Sequence, residues 1–255
     1  MAASKTTTDV KRRKKVGLFI FLLFIPVLTY GQKLEYAVHL NSGIFHYGGK
    51  SATRSSDIFY YDATLQAPNF TLNPYGKKAG FSYGLALQGQ NCFSNNILAG
   101  LEIGYENLKS QVQITNAYLP YSSFRSPLPN ASGKTTLTNQ YLTVHPVVGK
   151  RISLNKFILN LTVGPEAGLC LKSTEQGDAI TQQGGHYTTH LELNQPPIDI
   201  RVRANAQLTY KRTGLLVGYS YGLTNYFETP AGTKPTSGIY TRYLRLGISY
   251  QIRKT

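Results

Sequence analysis

The chain has 255 residues, and its 41% apolar content is that of a folded protein rather than a disordered one. Its 19 Tyr, 11 Phe and 24 Gly suit strands better than helices, and two Cys exclude a disulfide-rich scaffold or a four-cysteine zinc site. The net charge of +15 invites a nucleic-acid reading, but six of the 27 basic residues and one of the 12 acidic ones lie in residues 1–31, and the +10 that remains is scattered.

The first 31 residues read as an address. Residues 11–15 are KRRKK, followed by VGLFIFLLFIPVLT and then YGQ. A basic region, an apolar run and small residues near a cut site make a secretory signal. Val16–Tyr30 falls short of the roughly 20 apolar residues a transmembrane helix needs. Cleavage is expected after Gly31, leaving residues 32–255 as one domain with Gln32 at its start. No Cys follows the cut, so no lipid anchor is expected, and export removes nucleic acid as a partner.

The mature part alternates with period two. Leu34, Tyr36, Val38 and Leu40 share one face of the first segment. Phe81, Tyr83, Leu85 and Leu87 do so in AGFSYGLALQGQ, and Ile97, Ala99, Leu101, Ile103 and Tyr105 in ILAGLEIGYEN. Three further segments give Leu142, Val144, Pro146 and Val148, then Phe157, Leu159, Leu161 and Val163, then Ile198 through Tyr210 at every second position. Leu215, Val217, Tyr219 and Tyr221 follow, and Leu244, Leu246, Ile248 and Tyr250 close the series. A helix would scatter these residues around its circumference, whereas a strand segregates them. The eight segments are near the 9–11 residues of a tilted membrane strand. Long connections (48–78, 109–137, 172–196 and 225–239) alternate with short ones (91–96, 150–156 and 211–214). The expected fold is all-β: an eight-stranded antiparallel up-and-down transmembrane β-barrel in the outer membrane of a Gram-negative bacterium. A soluble β-sandwich shares the patterning, but the export signal and the long loops favour the barrel. The short turns, with Lys150, Arg151, Lys156, Lys211 and Arg212, are expected to face the periplasm.

Three segments, YLTVHPVVGKRI, FILNLTVGPEAGL and YSYGLTNYF, resemble the PorT family of small outer-membrane β-barrel proteins. The shared features are a Tyr-Leu strand start with a mid-strand proline, a Gly-Pro with a later Gly, and a Gly-Leu-Thr-Asn exit. The resemblance implies a porin-like barrel with a link to protein secretion (type IX) or cell-surface assembly. It also implies partners: outer-membrane lipid including lipopolysaccharide, the barrel-insertion machinery and an outer-membrane or surface protein. The chain ends SYQIRKT, so Tyr250 or Ile252 would carry the aromatic or apolar signal that the insertion machinery reads.

Candidate chemistry is sparse. SGKTT at 132–136 has the end of a phosphate-binding loop, but Leu128 stands where the pattern needs Gly. His186 and His190 are four apart, yet the Thr and Gly around them favour strand or loop over a metal-binding helix. Cys92 and Cys170 are read as free thiols. No cofactor and no metal are expected. A barrel-rim enzyme would need His46 with Asp57 or Asp62 near a Ser, which no spacing demands, and a non-enzymatic protein is expected.

Inward-facing charges are the stronger signal. Parity puts Glu102, Glu106, Glu166, Asp199, Arg201, Arg203 and Arg245 inside the barrel, where unpaired charge is costly. Glu166 is expected to meet Arg201 or Arg203, closing the interior as a plug; a narrow ion pathway or small-ligand site is the alternative. The first two long loops hold Phe59, Tyr60, Tyr61, Phe70, Tyr118, Tyr121, Phe124 and Arg125, an aromatic-arginine set suited either to docking a partner or to capping the barrel mouth.

Overall fold

The computed structural model describes residues 33–60, 68–118, 130–227 and 237–253. The expected signal peptide, and Tyr61, Asp62, Tyr121, Phe124 and Arg125, lie outside the described residues. Those described form strands β1 (Lys33–Gly48), β2 (Ser55–Phe59), β3 (Phe70–Thr71), β4 (Lys78–Cys92), β5 (Ile97–Tyr118) and β6 (Ala131–Leu154). There follow β7 (Phe157–Thr181), β8 (His186–Glu192), β9 (Ile198–Tyr210), β10 (Thr213–Gly222) and β11 (Tyr240–Arg253).

Eight of these strands close on themselves. Antiparallel ladders join β1 to β4, β4 to β5, β5 to β6, β6 to β7, β7 to β9, β9 to β10 and β10 to β11. The ladder between β11 and β1, from Gly48 opposite Tyr240 to Tyr36 opposite Arg253, completes the ring. Closure leaves these strands no open edge. The turns at one end are tight, and each carries one left-handed residue: Asn96 (φ 62°), Asn155 (φ 54°) and Lys211 (φ 55°). Asparagine tolerates that conformation better than lysine, because its short polar side chain bonds locally. Midway along β6 and β7, Pro146 and Pro165 lack the N–H a ladder needs, and the pairing is interrupted between Val144 and Val148. The Nδ1 of His145 donates to the Pro165 carbonyl at 2.9 Å, returning a bond to that gap.

Within the ring the usual polarity is reversed. Ile198, Ile200, Val202, Leu208 and Tyr210 of β9 are exposed, while Asp199, Arg201, Arg203, Asn205, Gln207 and Thr209 between them are buried. Exposed Leu215, Val217, Tyr219 and Tyr221 on β10 and Leu244, Leu246, Ile248 and Tyr250 on β11 continue the apolar exterior.

The expected loops 109–137 and 172–196 are largely strand instead. β5 and β6 stay paired up to Ile114 opposite Gly133, β6 and β7 up to Ala131 opposite Thr181, and β8 folds back along β7. β2 adds in parallel to the far part of β5, and β3 pairs with β2. The result is a second tier of order β3-β2-β5-β6-β7-β8, here called the collar. Asn69 beside β3 donates to the Thr188 carbonyl of β8 at 2.9 Å, drawing the two ends of the tier together. Outward apolar residues do not mark the collar, because its polarity is the ordinary one. Along β5, Ile103 faces out and Glu102 and Glu106 in; further on, Leu108, Val112 and Ile114 are buried while Gln113 and Thr115 are exposed. On β6 the outward residues change from Val148, Val144 and Leu142 to Gln140, Thr138, Thr136 and Lys134. A bulge where the pairing with Gln140 and Tyr141 shifts lets β7 keep the same faces. Ile58, Ile114, Ala117, Ala131 and Ala179 form the collar's apolar core.

Candidate functional site

Every second residue of the ring strands points into a shared interior, so acids and bases far apart in sequence meet there. Glu166 of β7 lies at the centre and is fully buried. Its carboxylate accepts from Arg201 Nη1 at 2.9 Å, from Arg203 Nη1 at 3.2 Å and from Arg245 Nη2 at 2.9 and 3.0 Å. Arg201 also donates to Asp199 (2.7 Å) and Glu106 (3.0 Å), and Arg245 grips Glu106 through Nε (2.9 Å) and Nη2 (2.6 Å). Arg203 reaches across the ring to Glu102, while Arg245 also donates to Ser220 and Thr241 donates to Asp199. His39 of β1 meets the other oxygen of Glu102 through Nδ1 at 2.9 Å. Three guanidinium groups thus face four carboxylates, with the His39 ring bonded to one of them.

All seven charged residues singled out in the sequence lie in this one cluster. His39 and His145, which border it, were not singled out, although parity also puts His39 on the inward face of β1. A second pair, equally unforeseen, sits nearer the tight turns. Arg151, expected in a turn, instead lies within β6, three residues before its end, with its side chain inside in a bidentate contact with Glu35 (2.6 and 2.8 Å). Asn160 and Gln90 complete that group.

An aromatic layer covers the cluster on the side of the long connections. Arg201 stacks on Tyr141 and Arg245 on Tyr243, at 4.8 and 4.3 Å from the ring centres. Tyr141 and Tyr226 share a 2.9 Å hydrogen bond, and Tyr47 packs edge-on against Phe45, Tyr75 and Tyr226. Tyr75 and Ala52, both from the first long connection, pack into this buried layer. Polar cluster, aromatic layer and collar core follow one another along the axis.

The loop aromatics within the described residues are engaged with one another. Phe59 stacks on Phe70 (5.2 Å) and Tyr118 (5.7 Å), forming a half-buried ladder across β3, β2 and β5, and Tyr60 lies on Tyr187 (4.3 Å). Asp57 accepts from Asn116 and Thr115 in the collar, whereas His46 lies opposite Arg242 on the ring, so the geometry assembles no rim triad from them. SGKTT forms part of β6, an extended strand and not a phosphate-binding turn. His186 and His190 lie on strand β8, about 13 Å apart at strand rise. Both cysteines are free.

The fold defines a class: an all-β protein with a closed antiparallel ring, a charge-filled interior and an apolar exterior. No family model and no curated protein matches the sequence. Among solved structures the chain is similar to Neisserial surface protein A, at 9% identity and a TM-score of 0.35, covering 84% of this chain and 96% of that one. It is also similar to the attachment invasion locus protein Ail of Yersinia pestis (12%, TM-score 0.31, 86% and 98% covered). A third is the outer membrane protease OmpT of Escherichia coli (12%, TM-score 0.43, 86% and 97% covered). Nothing of these proteins' activities transfers to this chain at such identities.

Two outcomes follow from this geometry. Glu166→Gln leaves three guanidinium groups without their shared partner and is expected to destabilise the folded ring by about 3–5 kcal/mol. Adding Arg245→Met should then cost less than it does in the parent, because its two contacts to Glu166 are already gone. Urea titration of the heat-modifiable folded band on gels measures both, and strict additivity would deny the coupling. In the collar, Glu175 is buried beside Thr71, whose amide donates to it at 2.9 Å, and burial raises its carboxyl above the usual range. The stability tied to a raised carboxyl is complete below its unfolded value, about 4.3, and is lost as pH rises through the folded value. Hydrogen exchange at the Thr71 amide should therefore quicken, after correction for intrinsic rate, from acidic to neutral pH. In Glu175→Gln that dependence should flatten.

Proposed function

We propose that the chain is a transmembrane β-barrel of a Gram-negative outer membrane, exported with residues 1–31 as its signal peptide. Its lumen is closed, and it serves as a structural and docking protein through the collar that it carries outside. The reversal of polarity along single strands carries this reading. Outward residues of the ring are apolar and its interior is charged, an arrangement that suits hydrocarbon; the collar has a polar exterior and an apolar core, which suits water. From Ile198 to Tyr210 the outward face of β9 runs about 40 Å at strand rise, and at a tilt of about 45° this crosses roughly 28 Å, close to the hydrocarbon thickness. Exposed tyrosines lie towards both ends of this band, with Tyr36, Tyr210 and Tyr250 near the turns and Tyr83 and Tyr221 near the collar.

The charge cluster and the tyrosine layer occupy the section through which solutes would pass, which supports a plug over a channel. With His46 on the ring and Asp57 engaged in the collar, the chain is taken as non-enzymatic. The resemblance to PorT-family proteins supports a link to protein secretion or surface assembly. It also supports contacts with the insertion machinery, with lipopolysaccharide and with another outer-membrane or surface protein, for which the half-buried ladder of Phe59, Phe70 and Tyr118 offers a face.

Two readouts test this. With Cys92→Ser and Cys170→Ser as background, Thr136→Cys in the collar should react with an impermeant maleimide on intact cells. Thr213→Cys in a turn should react only after the outer membrane is opened. Proteoliposomes should swell in sugar solution no faster than empty vesicles. The opposite labelling pattern would overturn the orientation, and fast swelling would overturn the plug.

A further inference from the structure

The outer face of β9 is unevenly filled. Its outward residues run Val202, Ala204, Ala206, Leu208 and Tyr210. Ala206 faces Leu161 of β7 on one side and Val217 of β10 on the other, and Ala204 faces Val163 and Tyr219. Two alanines between larger neighbours leave a groove of about 450 Å³ along the ring wall. One step further, a second depression of about 590 Å³ passes Leu208 and Leu215 and ends at Tyr210, Lys211 and Arg212. Leu208 faces Leu159 and Leu215 in the same ladders, so the two hollows follow one another along the strand.

Ala204 to Tyr210 spans about 20 Å along the strand, or roughly 14 Å of depth at a tilt of about 45°, which is one leaflet of a hydrocarbon core about 30 Å thick. The charge at the mouth has one sign. Lys150, Lys156, Lys211 and Arg212 are exposed at this end, and among the described residues its one acid, Glu35, is buried against Arg151. The Lys211 ammonium lies 5.4 Å from the centre of the Tyr210 ring, at the depth where the groove opens.

We propose that this groove is a binding site for an anionic glycerophospholipid of the leaflet on the turn side. One acyl chain lies along Ala204, Ala206 and Leu208, and the phosphate meets Lys211 and Arg212. The inference rests on the membrane reading above. Within hydrocarbon an acyl chain gains nothing from leaving water, so contact with a concave wall and pairing at the headgroup decide which lipid stays. The groove supplies the first and the basic turn the second.

The test uses the protein folded into vesicles of phosphatidylcholine and phosphatidylglycerol, released into mild detergent and weighed intact. The parent should retain phosphatidylglycerol in preference to phosphatidylcholine. Lys211→Gln with Arg212→Gln should lower that preference roughly thirtyfold, from two lost basic contacts. Ala206→Phe, which fills the groove, should abolish retention of both lipids. Unchanged retention in the charge variant, or a dimer of the chain in place of a lipid adduct, would overturn the site. Heat-modifiable mobility from the same vesicles reports insertion separately. Loss of lipid preference with insertion intact strikes the site alone, whereas failure to insert strikes the membrane reading and the site with it.

Discussion

A side chain pointing into the closed ring is cut off from solvent, and this constraint organises the rest of the structure. Arginine cannot shed its charge, so Arg201, Arg203 and Arg245, each at most 1% exposed, must find acids inside. Asp199 meets Arg201 along β9, and the other acids come from other strands of the ring. Glu166 of β7 binds side chains from β9 and β11, and Glu102 and Glu106 of β5 reach the same three arginines from the opposite wall. The cluster therefore ties opposite walls together, which the backbone ladders, joining only neighbours, cannot do. It also fixes register, because a slip of one residue would turn the cluster's side chains outward.

The cluster in turn sets the limits of function. Two of its arginines support Tyr141 and Tyr243, and the same aromatic layer takes in Tyr75 from the first long connection. The collar then builds on strands that have already passed the ring. A pore would have to undo ion pairs, aromatic packing and collar core together, so the stacking of layers favours a static role for the interior. The docking and lipid-binding roles proposed above therefore use outer faces: the collar on one side, and the groove and basic turns on the other.

Much of the ring was legible in the sequence because one rule governs it. Wherever apolar residues alternated with Gly, Ser or charge, as in β4, β9 and β10, a ring strand followed. The same parity puts Glu102, Glu106, Glu166, Asp199, Arg201, Arg203 and Arg245 on buried positions of the ring. It failed where the rule changes sign. Beyond Glu106 on β5 and Gln140 on β6 the strand continues with its polarity exchanged, and a search for an outward apolar face stops at that boundary. Arg151 reads as a turn residue because it lies beside Lys150, yet it shares parity with the buried His145. The aromatic layer was not legible, since Tyr47, Tyr75 and Tyr226 come from three segments that only the closed ring brings together.

The central claim is that the strand wall changes from a surface for lipid to one for water between Leu142 and Thr138. A nitroxide label moved along the outward positions of β6, at Val148, Val144, Leu142, Thr138 and Thr136, in vesicles measures this directly through collisions with oxygen and with a water-soluble nickel complex. The account predicts high oxygen and low nickel accessibility up to Leu142, then a crossover to high nickel accessibility at Thr138 and Thr136. Nickel accessibility that is uniform along all five positions would contradict it.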